Sequence, residues 1–137
     1  MLVTVDAVIF LRNEGEPLKV LLIKRGNDPF KGSYALPGGF PEMDELLVEA
    51  AKRELFEETG LKDIELKQLY AFDAIDRDPR GRNISIAFVG YTELSNCKLK
   101  AGDDASEAQW FPVDDLPQLA FDHERVINRA KKEAIKL

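Results

Sequence analysis

Between Pro37 and Leu61 the chain writes out a helix with both of its ends, and this helix limits what the remainder can fold into. Leu47, Val48, Ala51 and Leu55 recur at helical spacing and make one apolar face. Asp44 is placed to cap the start by accepting backbone N–H bonds. Gly60 suits the left-handed position that ends a helix, and Leu61 can fold back beside it. The spacing therefore predicts a helix from about Glu45 to Thr59. A helix with a single apolar face needs a surface to cover, and the flanking sequence supplies strands.

Val3 to Leu11 and Lys19 to Ile23 are rich in Val, Ile and Leu and read as strands. Asn83 to Tyr91 is the clearest central strand, Ile64 to Asp73 is extended, and Ala108 to Phe111 is a short strand closed by Pro112. Asn13 to Pro17, Gly26 to Tyr34, Asp76 to Arg82 and Ser95 to Ser106 read as turns and loops, and Pro37-Gly38-Gly39 as a bend outside any element. Val113 to Leu116 fits one short helical turn. Asp122 to Ala134 fits a last helix with Val126, Ile127 and Ala130 facing inward. Helices on both faces of a mixed sheet would bury both, so the expected fold is an α/β/α sandwich of the α/β class. At 137 residues it is expected to be a single domain over 1–137.

A net charge of -6, from 19 basic and 25 acidic residues, argues against a nucleic-acid backbone binder but leaves room for a small phosphorylated ligand. Cys97 is the single cysteine, so neither an internal disulfide nor a thiolate-rich metal site is available; it reads as a small, partly buried side chain. No apolar run approaches a membrane helix, and the N-terminus lacks a secretory pattern. The expectation is an intracellular, cytoplasmic protein with no membrane partner.

On the helix, Glu54, Glu57 and Glu58 point into one sector that borders the apolar face. Two carboxylates roughly 6 Å apart repel by about 3 kcal/mol at an effective dielectric near 20. A divalent cation reverses that balance, since hard cations favour carboxylate oxygens together with phosphates. The alternative is a solvated acidic face. The small-residue bend just before the helix favours the metal, because a chain without Cβ atoms can approach the acids closely. Arg53 lies four before Glu57 and can also orient Glu45.

Gly39, Glu45, Arg53, Glu54, Leu55, Glu57, Glu58, Gly60 and Leu61 occupy, without a gap, the defining positions of the Nudix hydrolase family, which this chain resembles along nearly its whole length. The resemblance implies the sandwich fold and cleavage of a nucleoside diphosphate linked to a variable group. It implies a cation shell of Glu54, Glu57, Glu58 and the carbonyl of Gly38, with Mg2+ as the ion and Mn2+ as an alternative. Arg53 and Glu45 would hold loop and helix in register, and Glu57 is the first choice for general base, with Asp104 as the alternative. A further acid comes from a later loop in some relatives, six before a tryptophan. Trp110 puts that role on Asp104, with Asp103 and Glu107 competing. Pro41 and Asp44 depart from the commonest family residues, at positions that carry no metal.

Three further pieces resemble the ADP-ribose pyrophosphatase branch: Asp76 to Arg82, Trp110 to Pro112, and Leu119 to His123. Arg77, Arg80 and Arg82 make a basic patch in an acidic chain, suited to phosphate or to pairing with Asp73, Asp76 and Asp78. Arg25, Phe121 and His123 are further substrate-binding candidates. Phe121 can stack on adenine or pack in the core, and Trp110 is expected against the sheet. The leading expectation is a pyrophosphatase converting ADP-ribose, or a similar nucleoside diphosphate sugar, to AMP and ribose 5-phosphate. Hydrolysis of a modified nucleoside triphosphate and a non-catalytic nucleotide sensor are the alternatives, and a homodimer is plausible.

Overall fold

The computed structural model describes residues 1–93, 99 and 107–135. Its elements run β1 (Leu2–Leu11), β2 (Lys19–Lys24), β3 (Tyr34–Ala35), β4 (Gly38–Gly39), α1 (Leu47–Thr59), β5 (Lys67–Phe72), β6 (Asn83–Thr92), β7 (Gln109–Pro112) and α2 (His123–Ile135). The sheet is mixed, in the order β3-β2-β1-β6-β5, with β7 on β2 and β4 on β1. Among the described strands β1 and β6 pair in parallel, from Leu2 opposite Asn83 to Leu11 opposite Thr92. The other ladders are antiparallel.

Side chains alternate across a strand, and β1 uses both faces. Val5, Ala7 and Ile9 join Leu21, Phe88 and the α1 residues Ala50, Ala51 and Leu55 in one buried layer. Val8 and Phe10 join Val20, Leu22 and the α2 residues Val126, Ile127 and Ala130 in the other. The expected inward faces of both helices are thus the observed ones, Leu47 and Val48 being only partly buried. Trp110 packs against the α1-side layer, as expected. Truncating Leu55 to alanine in such a layer costs about 2–5 kcal/mol.

Three local expectations are corrected. The helix begins at Leu47 rather than Glu45, and Asp44 does not cap it: Glu49 reaches back to the Leu46 N–H at 2.8 Å. Glu45 instead closes the preceding turn, accepting the Glu42 N–H at 3.0 Å. Pro37-Gly38-Gly39 is more than a bend, because Gly38 and Gly39 pair with Asp6 and Val5 as a short strand. Val113 to Leu116 is a turn closed by Asp115 N–H to Pro112 carbonyl, not helix. At the far end of α1 the expectation holds: Gly60 has φ 81° and donates to the Phe56 carbonyl.

On one edge β1 has β6 along its whole length. On the other, β4 takes Val5 and Asp6 while β2 takes Phe10 and Leu11. Where these two partners separate, a pocket opens that is lined from the ends of β2, β3 and β4, from α1 and from the start of α2.

Candidate active site

The pocket holds about 200 Å3. Gly38, Gly39 and Glu58 line it together with Arg25, Arg80 and Phe121, and Asp6, Asn83 and His123 also line it.

On the α1 side, Arg53 gathers the carboxylates. Its Nε reaches Glu45 at 2.7 Å, and one terminal nitrogen reaches both Glu54 and Glu57 at 2.8 Å. The other bonds Glu45 again and the Phe40 carbonyl. Arg53, with the Glu42 N–H helping, holds the Glu45 carboxyl below its ordinary range. Glu57 is the outermost acid, its side chain 56% exposed against 17% for Glu54.

Glu58 differs. Burial, with Glu54 facing it, pushes its carboxyl up to about 9, against the pull of the Gly38 N–H. Its Oε2 is buried with no hydrogen-bond partner. The two glycines fit around these acids for a steric reason. A Cβ on Gly38 would stand 2.2 Å from the Val5 carbonyl oxygen and 2.5 Å from Asp6 Oδ1; one on Gly39 would stand 2.7 Å from the Glu54 carboxyl carbon. In the β1 ladder the Pro37 carbonyl accepts from Ala7 N–H. An antiparallel strand alternates its polar groups, so the Gly38 N–H and carbonyl point off the opposite edge, toward the acids.

A buried unpartnered carboxylate oxygen, two acids forced together and the backbone of Gly38 on the same side suit a divalent cation. Among the described residues the acids do not converge as a ready three-carboxylate cage; Arg53 occupies Glu54 and Glu57 in the cation's place. Asp103 and Asp104 lie outside the described residues, as does Cys97. Glu107 is exposed and borders a neighbouring hollow that Glu58 also lines.

The three arginines of the patch have different surroundings. Arg77 lines the pocket but is buried and committed to Asp122 through two bonds of 3.0 and 2.7 Å, so it fastens the 76–82 loop to the residue just before α2. Arg82 donates to the Asp73 carbonyl and does not line the pocket. Arg80 does line it, backed by Asp78 at 2.8 Å, and Arg25 approaches from the end of β2. Both guanidinium groups stand over the Phe121 ring, at 5.0 Å for Arg25 and 5.4 Å for Arg80. Burial and the charge of Arg80 make the Arg25 cation less favourable than usual. Phe121 is therefore at the pocket, not in the core. It sits at φ 53° and meets Phe30 edge-on at 4.9 Å.

Sequence reasoning missed Asp6, Ser85 and Asn83. Asp6 is buried beside His123 and accepts a short hydrogen bond from the Ser85 hydroxyl. Burial disfavours its charge, but His123, Ser85 and Arg77 outweigh this and hold it below the usual carboxylate range. The available signal was Asp6 itself, the one charge in the strand Leu2–Leu11.

A sheet between two helices, with a carboxylate helix packed over a glycine pair and arginines across the pocket, is an architecture suited to cation-assisted phosphate chemistry. The NUDIX domain family model matches residues 2–130, and the chain belongs to that family. It is 50% identical over 125 residues to an ADP-ribose pyrophosphatase of Methanocaldococcus jannaschii, covering 91% of this chain and 70% of that protein. It is 33% identical to the ADPR responsive transcriptional repressor NtrR of Acinetobacter baylyi, over 94% of this chain but about half, 52%, of the repressor. The NUDIX domain of Shewanella oneidensis NrtR complexed with ADP ribose superposes with a TM-score of 0.87 at 34% identity, covering 98% of this chain and 88% of that one. A MutT/nudix family protein from Enterococcus faecalis gives the same TM-score, and the chain spans 62% of its length.

Proposed function

We propose that this chain hydrolyses the pyrophosphate bond of ADP-ribose, or of a closely related nucleoside diphosphate sugar, giving AMP and ribose 5-phosphate from ADP-ribose. The observation that carries this reading is a single pocket that joins Gly38 and Glu58 to Arg25, Arg80 and Phe121. The 50% identity to an archaeal ADP-ribose pyrophosphatase supports the substrate. Two guanidinium groups held close at the pocket, one of them disfavoured as a cation, gain by taking a diphosphate between them. Phe121 offers a ring face to the nucleoside.

The Gly38 carbonyl, Glu54, Glu57 and Glu58 would hold Mg2+, with Mn2+ as a substitute. Such an ion supplies charge neutralisation at the phosphates and lowers the cost of ionising water. The chain's own part is to orient and to move a proton. A water oxygen attacks one phosphorus, the bridging P–O bond breaks, and the leaving phosphate keeps that electron pair. Glu57, with one oxygen already held by Arg53, is the proposed acceptor of the water's proton.

A sensor without catalysis is the second reading, prompted by the repressor relatives; all three helix acids being present favours hydrolysis. The test is a screen across ADP-ribose, nucleotide sugars, dinucleoside polyphosphates and oxidised triphosphates, with products identified. ADP-ribose or a close diphosphate sugar is expected to have the highest kcat/KM. An oxidised triphosphate at least about tenfold better, or about 1.4 kcal/mol, overturns the substrate; no turnover of anything overturns the enzyme.

A further inference from the structure

Three consecutive residues at the entry to α2 reach three different partners around the pocket. Phe121 lies under Arg25 and Arg80, and Asp122 clamps Arg77. His123 turns the other way: its Nδ1 accepts the Leu36 N–H at 3.0 Å. A ring nitrogen that accepts a hydrogen bond carries no proton, so the ring proton sits on Nε2. That nitrogen faces Asp6 Oδ2 at 3.6 Å. Asp6 is the ladder partner of Gly38 and is fixed in turn by the Ser85 hydroxyl.

The segment from Leu36 to Gly39 needs this support. Pro37 has no N–H to give to the β1 ladder, and its carbonyl makes a single bond there, to Ala7 N–H at 2.8 Å. The Leu36 N–H is the next donor back along the chain, and it goes to His123 rather than to a strand. Only 4% of His123 is exposed, and both of its ring nitrogens face protein groups, so it lines the pocket without a free nitrogen to offer a ligand.

We propose that His123 is a positioning residue for the cation site: by anchoring Leu36 and abutting Asp6 it fixes the Pro37-Gly38-Gly39 segment, sets the direction of the Gly38 carbonyl and the seat of Glu54 against Gly39, and ties both to Phe121 across the pocket. This rests on the cation reading above. A histidine that only fills the core would, when replaced, lower the Tm and leave the folded protein's cation affinity alone. A histidine that orients a ligand segment changes that affinity, typically by about 10- to 100-fold for such supporting groups.

The experiment is a titration of the substrate-free protein with Mn2+, following free ion by electron paramagnetic resonance, at a temperature where circular dichroism finds each variant folded. Parent, His123→Ala and His123→Asn are compared, with kcat and KM for ADP-ribose measured in parallel. Asparagine places its Oδ1 where Nδ1 stood, so it can accept the Leu36 N–H. Expected for His123→Ala is a Kd for Mn2+ raised about tenfold or more, with kcat lowered and KM little changed. His123→Asn is expected to recover most of both losses. A folded His123→Ala with the parent's Mn2+ affinity overturns the proposal, and so does a folded His123→Asn that binds Mn2+ no better than His123→Ala. If His123→Ala does not fold, His123→Leu, which keeps bulk but has no acceptor for the Leu36 N–H, takes its place: affinity weakened about tenfold supports the anchor, and parent-like affinity overturns it. A parent that binds no Mn2+ defeats the cation reading itself, a result distinct from either.

Discussion

Two charged clusters flank the Gly38-Gly39 segment, and they are built on different principles. The one on α1 joins Arg53 to Glu45, Glu54 and Glu57, partners eight, one and four residues away, at partly exposed positions. The one below the pocket joins Asp6 to Ser85, Leu36 to His123 and Arg77 to Asp122, partners 79, 87 and 45 residues apart and largely buried. A partly exposed cluster with more acids than bases can exchange a guanidinium for a metal ion at modest cost, because water screens the intermediate states. A dry cluster with each charge bonded cannot change partners without exposing a bare charge to a low dielectric. One side of the pocket is thus suited to take up a cation, the other to stay where it is.

The largest effect should come from breaking the rigid side. Asp122→Ala strands the Arg77 guanidinium, whose side chain is 3% exposed. Removing one partner of such a pair costs about 3–5 kcal/mol, to be read from urea unfolding at neutral pH. A loss under about 1 kcal/mol, the level of an exposed pair, would erase the contrast between the two clusters.

Next comes the exchangeable side. Glu58→Gln keeps the shape and removes the charge, and it is expected to lower kcat at least about 100-fold, some 2.7 kcal/mol, while weakening magnesium activation. The same residue gives a pH signature. Its carboxyl is raised from an ordinary 4.5 to about 9, so the metal-free folded state binds that proton more tightly than the unfolded chain does. This contribution to stability is complete below about 4.5 and is lost as the pH rises through about 9. The metal-free Tm should therefore fall with rising pH more steeply in the parent than in Glu58→Gln. Saturating Mg2+, which favours the ionised carboxylate, should flatten the parent's slope. Equal slopes in both proteins, with equal kcat, would return Glu58 to the ordinary surface acids.

The smallest effect sharpens the comparison across the pocket. Arg80 is backed by Asp78 and only half buried, so Arg80→Ala should leave the fold intact. Its expected effect is a KM for ADP-ribose raised about tenfold, near 1.4 kcal/mol, with kcat little altered. Arg82→Ala, whose side chain caps the Asp73 carbonyl away from the pocket, should leave both constants near the parent's. A reversed order would relocate the phosphate contact along the loop.

The amino-acid sequence by itself determined what depends on near neighbours. Helical spacing put Glu54, Glu57 and Glu58 in one sector and Arg53 within reach of two of them, and Gly60 ended the helix, because i, i+3 and i+4 contacts follow from backbone geometry alone. Alternation along β1 and β6 and the apolar faces of both helices made the layered fold legible for the same reason. Tertiary structure decided which of the chemically similar groups faced the pocket. Three arginines within six residues met three fates: Arg77 lines the pocket but is tied to Asp122, Arg82 bonds a backbone carbonyl and does not line it, and Arg80 lines it with its side chain partly exposed. Asp44 lost the cap to Glu49, and a Pro-Gly-Gly bend became a strand, once Val5 and Asp6 lay alongside it. Asp6, Ser85 and His123 became one network only when β1, β6 and α2 were laid together. A buried polar group must find its partner wherever the fold brings one, and residues some eighty positions apart carry no local mark of that pairing.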